Sequence, residues 1–362
     1  MKIEISNEKL VALPVQLIEI NDGVVIKRGR VELKVVGEDA PEVVNVVLET
    51  TLKGATREEI LESLSPPKRP AGESLIDSLV SRRILVPNSG DISDIDDESP
   101  VDIFYWHFGI SKNTVSEQLN KRRIKVFGLG YIARRVIEGL RASGATNLKP
   151  IDDPFLRNLA VLDQDGRIIN EQWPEFGSML PELIERVDDL DPESVDCVVA
   201  TSDTGATEQL RVWNEYCVLH NIFYMPVLLQ DLVGYVGPLV VPGQTACFEC
   251  MRSRQNAHLV DPFTRRAAES ALISEQSVSG FHPSMPSILG DIAAMELTKY
   301  FGLGPSLANV GTLIRVNLLG AEMKAHRVLK LPRCEVCSSL TRTPSPALIR
   351  SILLEPDDGE EG

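Results

Sequence analysis

The stretch IKVFGLGYIARRVIEGLRASGATNLKPIDD, residues 124–153, decides the fold of the larger part of this 362-residue chain. An apolar strand leads into a turn at Gly128 and Gly130, a helix follows, and a second strand ends at Asp152. This order is that of a βαβ unit in a Rossmann-like sheet. Glycine at such a turn lets the backbone approach a pyrophosphate, and the carboxylate can hold a ribose hydroxyl. The stretch therefore predicts an α/β fold with candidate nucleotide contacts.

The glycine signature is incomplete, because residues 131–134 after Gly130 contain no third glycine. Glycine also serves any tight strand-to-helix turn. A second βα unit follows at residues 195–229, where an apolar strand ends in Thr201-Ser202-Asp203. Ligands bind at this end of strands in open α/β sheets, but aspartate is also a common helix cap. Both interpretations of Asp203 stay open.

Two Cys-x-x-Cys pairs occur late in the chain, in CFEC and CEVC. A two-residue gap lets both thiolates of a pair turn toward one ion, and two such pairs complete a closed tetrahedral zinc site. A disulfide or a redox dithiol is the alternative, but no thioredoxin-like βαβ pattern surrounds either pair. The spacing predicts a structural Zn²⁺ held by Cys247, Cys250, Cys334 and Cys337. The other two thiols, Cys197 and Cys217, lie in apolar segments typical of a core.

Composition narrows the class of protein further. No apolar run approaches the ~20 residues of a membrane span, and the N-terminus lacks the order of a signal peptide. We therefore expect a cytoplasmic protein. A formal net charge of −15 argues against a general nucleic-acid binder, because neutralising phosphates requires clustered Lys and Arg. A basic or neutral peptide is a better partner for such a chain.

The acidic segment SGDISDIDDES, residues 89–99, has few large apolar side chains and predicts a linker. Four regions follow from it: a first domain over residues 1–88, a linker over 89–101, a second domain over 102–340 and an acidic tail over 341–362.

Short strands precede helices in the first domain. Strands are predicted at residues 13–20, 23–27 and 31–35, and helices at 40–52, 56–64 and 73–83. Thr56 and Glu59 have the spacing of a capping box. The order resembles a small winged-helix domain. It is similar to the precursor-recognition domain of systems that modify ribosomal peptides, and the stretch DGVVIKRGRVELKVVGEDAPEVV, residues 22–44, carries most of the likeness.

A winged helix can bind DNA or a peptide. The third helix offers only Arg82 and Arg83 and contains Glu73 and Asp77, which is a poor surface for contacts to phosphates. The resemblance instead implies that an extended leader peptide adds a strand to the edge of the third strand. The candidate peptide-binding residues are Val31, Glu32, Leu33, Lys34 and Val35, with Leu75, Leu79 and Arg82 across the groove. Val31, Leu33 and Val35 are also consistent with a core.

From about residue 100 to 340 the chain resembles the ThiF/MoeB family of adenylating enzymes. The likeness rests on the glycine turn, the TSDT strand end, the stretch GPLVVPGQTACFEC, the ELTKY helix and the last cysteine pair. Active members carry arginines and a lysine after the acidic strand end, and these cations stabilise charge at the triphosphate. Here that region offers Arg157 and Arg167 but no lysine. The resemblance implies a vestigial nucleotide site at Gly128, Gly130, Asp152 and Asp203, with no ATP bound.

One branch of that family is similar to both halves, namely the Ocin-ThiF-like or cyclodehydratase C-type proteins of azoline-forming peptide antibiotic biosynthesis. FYWHFG at residues 104–109 adds to the likeness. The resemblance implies a homodimer without catalytic residues. It would bind the leader of a ribosomal precursor and present the core to a separate YcaO-type cyclodehydratase. The alternative is an ATP-dependent adenylating enzyme that acts on a peptide. His107 and His282 have no partner visible in sequence for acid/base chemistry, and a structural turn is the favoured interpretation of His282.

Overall fold

A computed structural model of the protein describes residues 8–88, 99–164, 167–169, 173, 181–230, 232–258, 261, 264, 267 and 280–339. Backbone contacts divide the chain into two units, residues 1–116 and 117–362. Most of the predicted linker and the whole predicted tail, residues 341–362, lie outside the described residues. No helix in the described part of the chain is long and apolar enough to cross a membrane.

The described part of the first unit contains two small antiparallel sheets and four α-helices, and a fifth helix continues from it into the second unit. Its elements are β1 (Leu10–Ala12), β2 (Gln16–Ile20), β3 (Gly23–Arg28), β4 (Val31–Val36), α1 (Ala40–Thr51), α2 (Arg57–Glu62), α3 (Arg69–Ser81), β5 (Leu85–Pro87) and α4 (Pro100–Trp106). β2, β3 and β4 form one sheet in that order, and β1 pairs with β5. Apolar side chains from β3 and from α1, α2 and α3 form the core.

Two element boundaries differ from the prediction for physical reasons. The first predicted strand, residues 13–20, starts only at Gln16, and Pro14 lies between β1 and β2. Proline has no N–H to donate to a strand ladder. The third helix starts at Arg69, not Glu73, because Pro70 falls in its first turn, where proline is tolerated. α4 belongs to the same unit, because Trp106 packs with Leu13 and Val86.

The β3–β4 hairpin is tight. Arg28 and Val31 are paired in register, so only Gly29 and Arg30 form the turn. Gly29 has φ +55°, a conformation that favours glycine and suits the first central position of a two-residue hairpin turn. Along β4 half-buried and exposed residues alternate, and in the described part of the chain no strand pairs with its outer side. β4 is therefore an edge strand with one face toward the core.

The capping box at the start of α2 is confirmed. The Thr56 hydroxyl accepts a hydrogen bond from the Glu59 backbone N–H at 3.2 Å, and the Thr56 N–H donates to Glu59 Oε2 at 2.7 Å. Two N–H groups that the helix leaves free are thus satisfied reciprocally. These bonds fix where the chain turns into α2, whose Ile60 is fully buried.

The second unit is built on one eight-stranded sheet. Its elements are α5 (Lys112–Asn120, which starts in the first unit), β6 (Ile124–Phe127), α6 (Tyr131–Ala142), β7 (Leu148–Asp152), β8 (Glu182–Leu183), β9 (Cys197–Ser202), α7 (Thr207–Leu219), β10 (Phe223–Gln230), β11 (Val233–Val236), α8 (Phe248–Asn256), α9 (Ser284–Leu297), β12 (Thr312–Asn317) and β13 (Glu322–Arg327). The strand order is β13-β12-β11-β10-β9-β6-β7-β8.

The central strands of this sheet are parallel and buried. β10, β9, β6, β7 and β8 pair in parallel, whereas β11, β12 and β13 continue the sheet antiparallel. All residues of β6 and β9 are buried, as expected for strands covered on both faces. Val198 and Ala200 of β9 pack with residues of α7 and α8, and α6 packs along α9. The carboxyl ends of β6, β7 and β9 therefore lie side by side at one edge.

Replacing Thr56 with alanine removes the hydroxyl of the capping box, so we expect the free energy of unfolding to fall by about 1 kcal/mol. Urea denaturation of the purified protein measures this loss. Glu58→Ala is the matched control, because Glu58 lies in the same first turn but is not part of the box. A loss of equal size in both variants would contradict the capping role of Thr56.

Candidate functional site

The glycine turn after β6 is tightly enclosed. A Cβ atom at Gly130 would lie 2.5 Å from Asp203 Oδ2, closer than any side chain could tolerate. Gly128 has φ +106°, and a Cβ there would lie 2.6 Å from the Thr201 carbonyl oxygen. The predicted site residues Gly128, Gly130 and Asp203 are thus brought together where β6 and β9 end. Close approach of the β9 end to the turn is the physical reason for both glycines.

Asp203 occupies the N-terminus of α6. Its carboxylate accepts hydrogen bonds from the backbone N–H groups of Tyr131 at 2.7 Å and Ile132 at 3.1 Å. The side-chain amide of Asn158 donates a third bond at 2.7 Å. Helix N-termini bind anions because their first N–H groups are free and the helix dipole is positive there. Here that anion is supplied by the chain itself.

Asp203 is only 4% exposed. Burial raises the pKa of Asp203 above its ordinary value, and the hydrogen bonds from Asn158, Ile132 and Tyr131 act in the opposite direction. A buried carboxylate needs such donors, because removal from water without them is costly. The three bonds tie three segments together: the glycine turn, the end of β9 and the segment after β7.

Asp152, the predicted ribose contact, is also engaged by the chain. Arg157 donates from Nε to Asp152 Oδ1 at 2.7 Å and from Nη2 to Oδ2 at 2.8 Å. This two-point pair raises the pKa of the Arg157 guanidinium. The neighbouring Asn158 N–H donates to the Leu129 carbonyl at 2.8 Å, which fixes the segment against the glycine turn. Arg157, one of the two arginines that follow the acidic strand end, thus neutralises Asp152.

Asp153 has a structural role. Its Oδ2 accepts from Trp213 Nε1 and Gln209 Nε2, both at 2.7 Å, and its Oδ1 accepts from the Phe155 N–H at 2.9 Å. Burial raises the pKa of Asp153. Sequence reasoning missed the roles of Asn158 and Asp153. The available signal was their position just after the acidic end of β7, where this fold places ligand contacts.

The four predicted zinc ligands come together in the second unit. The Sγ atoms of Cys247, Cys250, Cys334 and Cys337 all lie within 4.8 Å of one another. Cys247 Sγ lies 3.9 Å from that of Cys250 and 3.6 Å from that of Cys334, and Cys250 Sγ lies 3.4 Å from that of Cys337. Zn–S bonds of about 2.3 Å in a tetrahedron separate the sulfurs by about 3.8 Å. The donor set and spacing fit Zn²⁺.

Backbone groups near two of the four cysteines suit thiolate ligands of a metal. Cys247 precedes α8, so its sulfur lies at a positive helix end, and the Leu331 N–H lies 3.4 Å from Cys250 Sγ. Three of the cysteines are buried and Cys337 is half-buried, so water cannot enter freely as a ligand. A closed sulfur site of this kind would hold a metal for structure and leave no open position for catalysis. Cys197 and Cys217 are fully buried in the core, as predicted.

The predicted peptide-binding residues divide into two groups. Val31, Leu33 and Val35 are half-buried against the core of the first unit, and Glu32 and Lys34 are exposed on the other face of β4. Leu75 and Leu79 of α3 are 5% and 0% exposed, so they pack into the core, while Arg82 is exposed. Leu75 and Leu79 can support a groove but offer it almost no surface. Peptide binding itself stays a prediction.

Of the two histidines, His282 has a local role. Its Nδ1 accepts from the Ser284 N–H at 3.3 Å, at the start of α9. This agrees with the predicted structural turn. His107 ends α4, and its Nδ1 is buried with no hydrogen-bond partner in the described part of the chain.

No protein-family model and no curated protein sequence matches this chain. Its fold, however, is that of several solved structures. Escherichia coli MccB solved with AMPCPP and MccA matches with a TM-score of 0.67 at 18% identity, over 91% of this chain and 100% of the other. The microcin C7 biosynthetic enzyme MccB in complex with N-formylated MccA matches with a TM-score of 0.65 at 16% identity, over 91% and 100%.

The heterocyclase TruD also matches, with a TM-score of 0.59 at 18% identity. The match covers 92% of this chain but 43% of TruD, so this chain corresponds to part of that protein. At these identities the likeness establishes the fold: a mixed α/β protein with a large, mostly parallel sheet, shared with MccB and with part of TruD.

Asp203→Ala should destabilise the protein, because it leaves buried N–H groups at the start of α6 without an acceptor. We expect a loss of about 2–3 kcal/mol in the free energy of unfolding, measured by denaturant titration. Asp188→Ala is the control, because the Asp188 side chain is 77% exposed. If Asp203→Ala kept full stability and lost binding of ATP, Asp203 would be a nucleotide ligand and not an internal cap.

Cys334→Ser should remove one equivalent of zinc and strongly lower the melting temperature. Structural zinc contributes on the order of 10 kcal/mol in small sites, and serine is a poor fourth ligand. Mass spectrometry of the metal content and a thermal melt measure the two effects. Cys217→Ser separates them, because it disturbs a buried thiol outside the cluster and should retain the zinc. Equal zinc content in both variants would rule out the four-cysteine site.

Proposed function

We propose that this protein is a leader-peptide-binding partner, without chemistry of its own, in the biosynthesis of azoline-containing ribosomal peptides. It would bind the leader of a precursor and present the core to a separate YcaO-type enzyme, which uses ATP to cyclise Cys, Ser or Thr. The fold supports this proposal, because it is shared with MccB solved with MccA and with part of the heterocyclase TruD.

The observation that carries the proposal is the hydrogen bonding of Asp203. Its carboxylate takes the first N–H groups of α6, which a nucleotide phosphate would need. Arg157 is likewise held by Asp152 through two bonds. ATP would have to displace the Asp203 carboxylate from these N–H groups, and the negative charge of that carboxylate would repel the phosphates. These contacts support the proposal that the protein binds a peptide and does not adenylate it. In this proposal the zinc centre has a structural role.

The leader would bind the first unit at the edge of β4. In a two-residue hairpin the residues that close the turn, here Arg28 and Val31, exchange main-chain hydrogen bonds. Bonding alternates along an antiparallel pair, so the N–H groups of Glu32 and Lys34 point to the outer edge. An extended peptide can add a strand there through its main chain. Arg82 at the end of α3 would contribute from the far side of the groove.

Glu32→Pro should weaken leader binding by about tenfold or more, because proline removes one outward N–H and hinders strand pairing. Fluorescence polarisation with a labelled leader segment of the cognate precursor measures the dissociation constant of the full-length protein.

Glu32→Ala is the matched control for this measurement. It removes the same carboxylate and retains the N–H, so it should bind the leader nearly as well as the wild type. Equal affinity of the proline and alanine variants would contradict strand addition at β4. A leader that does not bind the wild-type protein would remove the proposed function.

The second candidate is an adenylating enzyme of the ThiF/MoeB type that acts on a peptide. It is favoured by the fold shared with MccB, which has also been solved with ATP, and by the grouping of Gly128, Gly130 and Asp203 at the strand ends. This function requires exchange of pyrophosphate into ATP by the purified chain with its peptide. Such exchange, abolished in Asp203→Ala under conditions where that variant is folded, would replace the proposal above.

Two further parts of the proposal concern assembly and location. A homodimer through the second unit is expected from the family resemblance, and a place in the cytoplasm is expected from the composition of the sequence. Sedimentation of the purified protein tests the first directly.

A further inference from the structure

Arg28 occupies a position that the strand pattern assigns to the core. Along β3, Val24 and Ile26 are 2% and 0% exposed and face the core, and Arg28 is the next residue on that face. It is 4% exposed, although arginine is rarely buried without a partner. The adjacent Lys27, on the opposite face, is exposed. A buried cation thus lies at the end of the hairpin where β4 begins.

The Arg28 guanidinium is only partly satisfied. Its Nη2 donates to the Arg83 carbonyl at 2.8 Å, whereas Nε and Nη1 are buried and have no hydrogen-bond partner among the described residues. Burial lowers the pKa of Arg28, which reflects the cost of the buried charge. Such a group destabilises the fold until an anion or acceptor reaches it.

The groups around Arg28 are also cationic or donors. Arg83 donates from Nη1 to the His107 carbonyl at 2.9 Å, and the His107 ring lies 3.1 Å from where a Cβ of Gly29 would be. Burial, and then the charges of Arg28 and Arg30, lower the pKa of His107. Among the described residues, no carboxylate oxygen forms an ion pair of 4.0 Å or less with Arg28, Arg30 or Arg83. Positive charge is therefore concentrated here in a chain of net charge −15.

We propose that Arg28, Arg30, Arg83 and His107 form a binding site for a carboxylate, supplied by an Asp or Glu side chain of the bound peptide. Arg28 pairs in register with Val31, the first residue of β4, so the site adjoins the start of the edge strand. Arg30 and Arg83 are exposed and form the entrance, and Arg28 and His107 form the base. The guanidinium fork matches a carboxylate through two parallel bonds. This inference rests on the proposed peptide-binding function.

The site would set specificity. Main-chain hydrogen bonds along β4 can form with any extended peptide. The buried Arg28 guanidinium, with two donors that lack a partner among the described residues, would discriminate between peptides with and without an acidic side chain. A peptide with an acidic side chain at this register relieves the unpaired charge, and a peptide without one leaves it buried. The peptide should therefore carry an acidic residue at one fixed position, opposite the start of β4, even though the protein as a whole repels acidic chains.

A random twelve-residue peptide library, displayed on its encoding mRNA and selected on the immobilised full-length protein, tests this. We expect Asp or Glu to be enriched at one fixed position, and Arg28→Met to reduce that enrichment by about tenfold or more, as for loss of a charged hydrogen bond. Lys27→Met is the matched control, because it makes the same change on the exposed face of the same strand and should keep the preference.

Thermal melts of the same variants add a second readout. Arg28→Met should melt at least as high as the wild type, because it replaces an unpaired buried charge with an apolar group of similar length. If Arg28→Met does not fold, Arg30→Gln, in the exposed turn, takes its place in the selection and should weaken the same preference.

The outcomes distinguish the carboxylate site from peptide binding itself. An acidic preference that is lost in Arg28→Met or Arg30→Gln and kept in Lys27→Met supports the site. Selected peptides without an acidic preference, or a preference unchanged in both arginine variants, would overturn the site and leave peptide binding intact. A library that yields no binding peptide would overturn the proposed function, and the peptide carboxylate with it.

Discussion

The bond between the Asp203 carboxylate and the start of α6 is the constraint on which the second unit depends. A buried carboxylate must be hydrogen-bonded, and its donors here come from the glycine turn and from Asn158. This one side chain links the end of β9 to the turn after β6 and to the segment after β7. It also fills the helix N-terminus at which this fold can bind a phosphate.

An internal anion differs from a bound ligand in one important respect. It is tethered, so it competes for the helix end at a fixed effective concentration that does not depend on the supply of nucleotide. The same holds for Arg157, whose two bonds to Asp152 occupy the cation that a triphosphate would attract. A chain with this fold can therefore give up nucleotide binding, as we propose here, without giving up the fold. The βαβ framework and the four-cysteine centre can be retained while Asp203 and Arg157 form hydrogen bonds within the site.

Local features were predictable from the sequence, and features that depend on distant partners were not. The capping box at Thr56, the βαβ unit and the four-cysteine cluster follow from spacing within a few residues or from a strong ligand pattern. The antiparallel strands β12 and β13 have no such signal. Leu75 and Leu79 were expected across a groove, yet α3 turns both into the core. The bonds of Asp203 to Ile132 and Asn158 join residues 71 and 45 positions apart, which no local pattern reveals.

The glycine turn and the β3–β4 hairpin handle charge in opposite ways. Around the glycine turn Asp152 and Asp203 have internal partners, whereas two buried nitrogens of Arg28 have none among the described residues. An unsatisfied buried charge destabilises the fold. Such a charge is retained mainly at functional sites, where it contributes to binding. A satisfied site resists ligands, and an unsatisfied one selects them. By this criterion the β3–β4 hairpin is the place for the peptide site that we propose, and in that proposal the Rossmann-like sheet would serve as a scaffold.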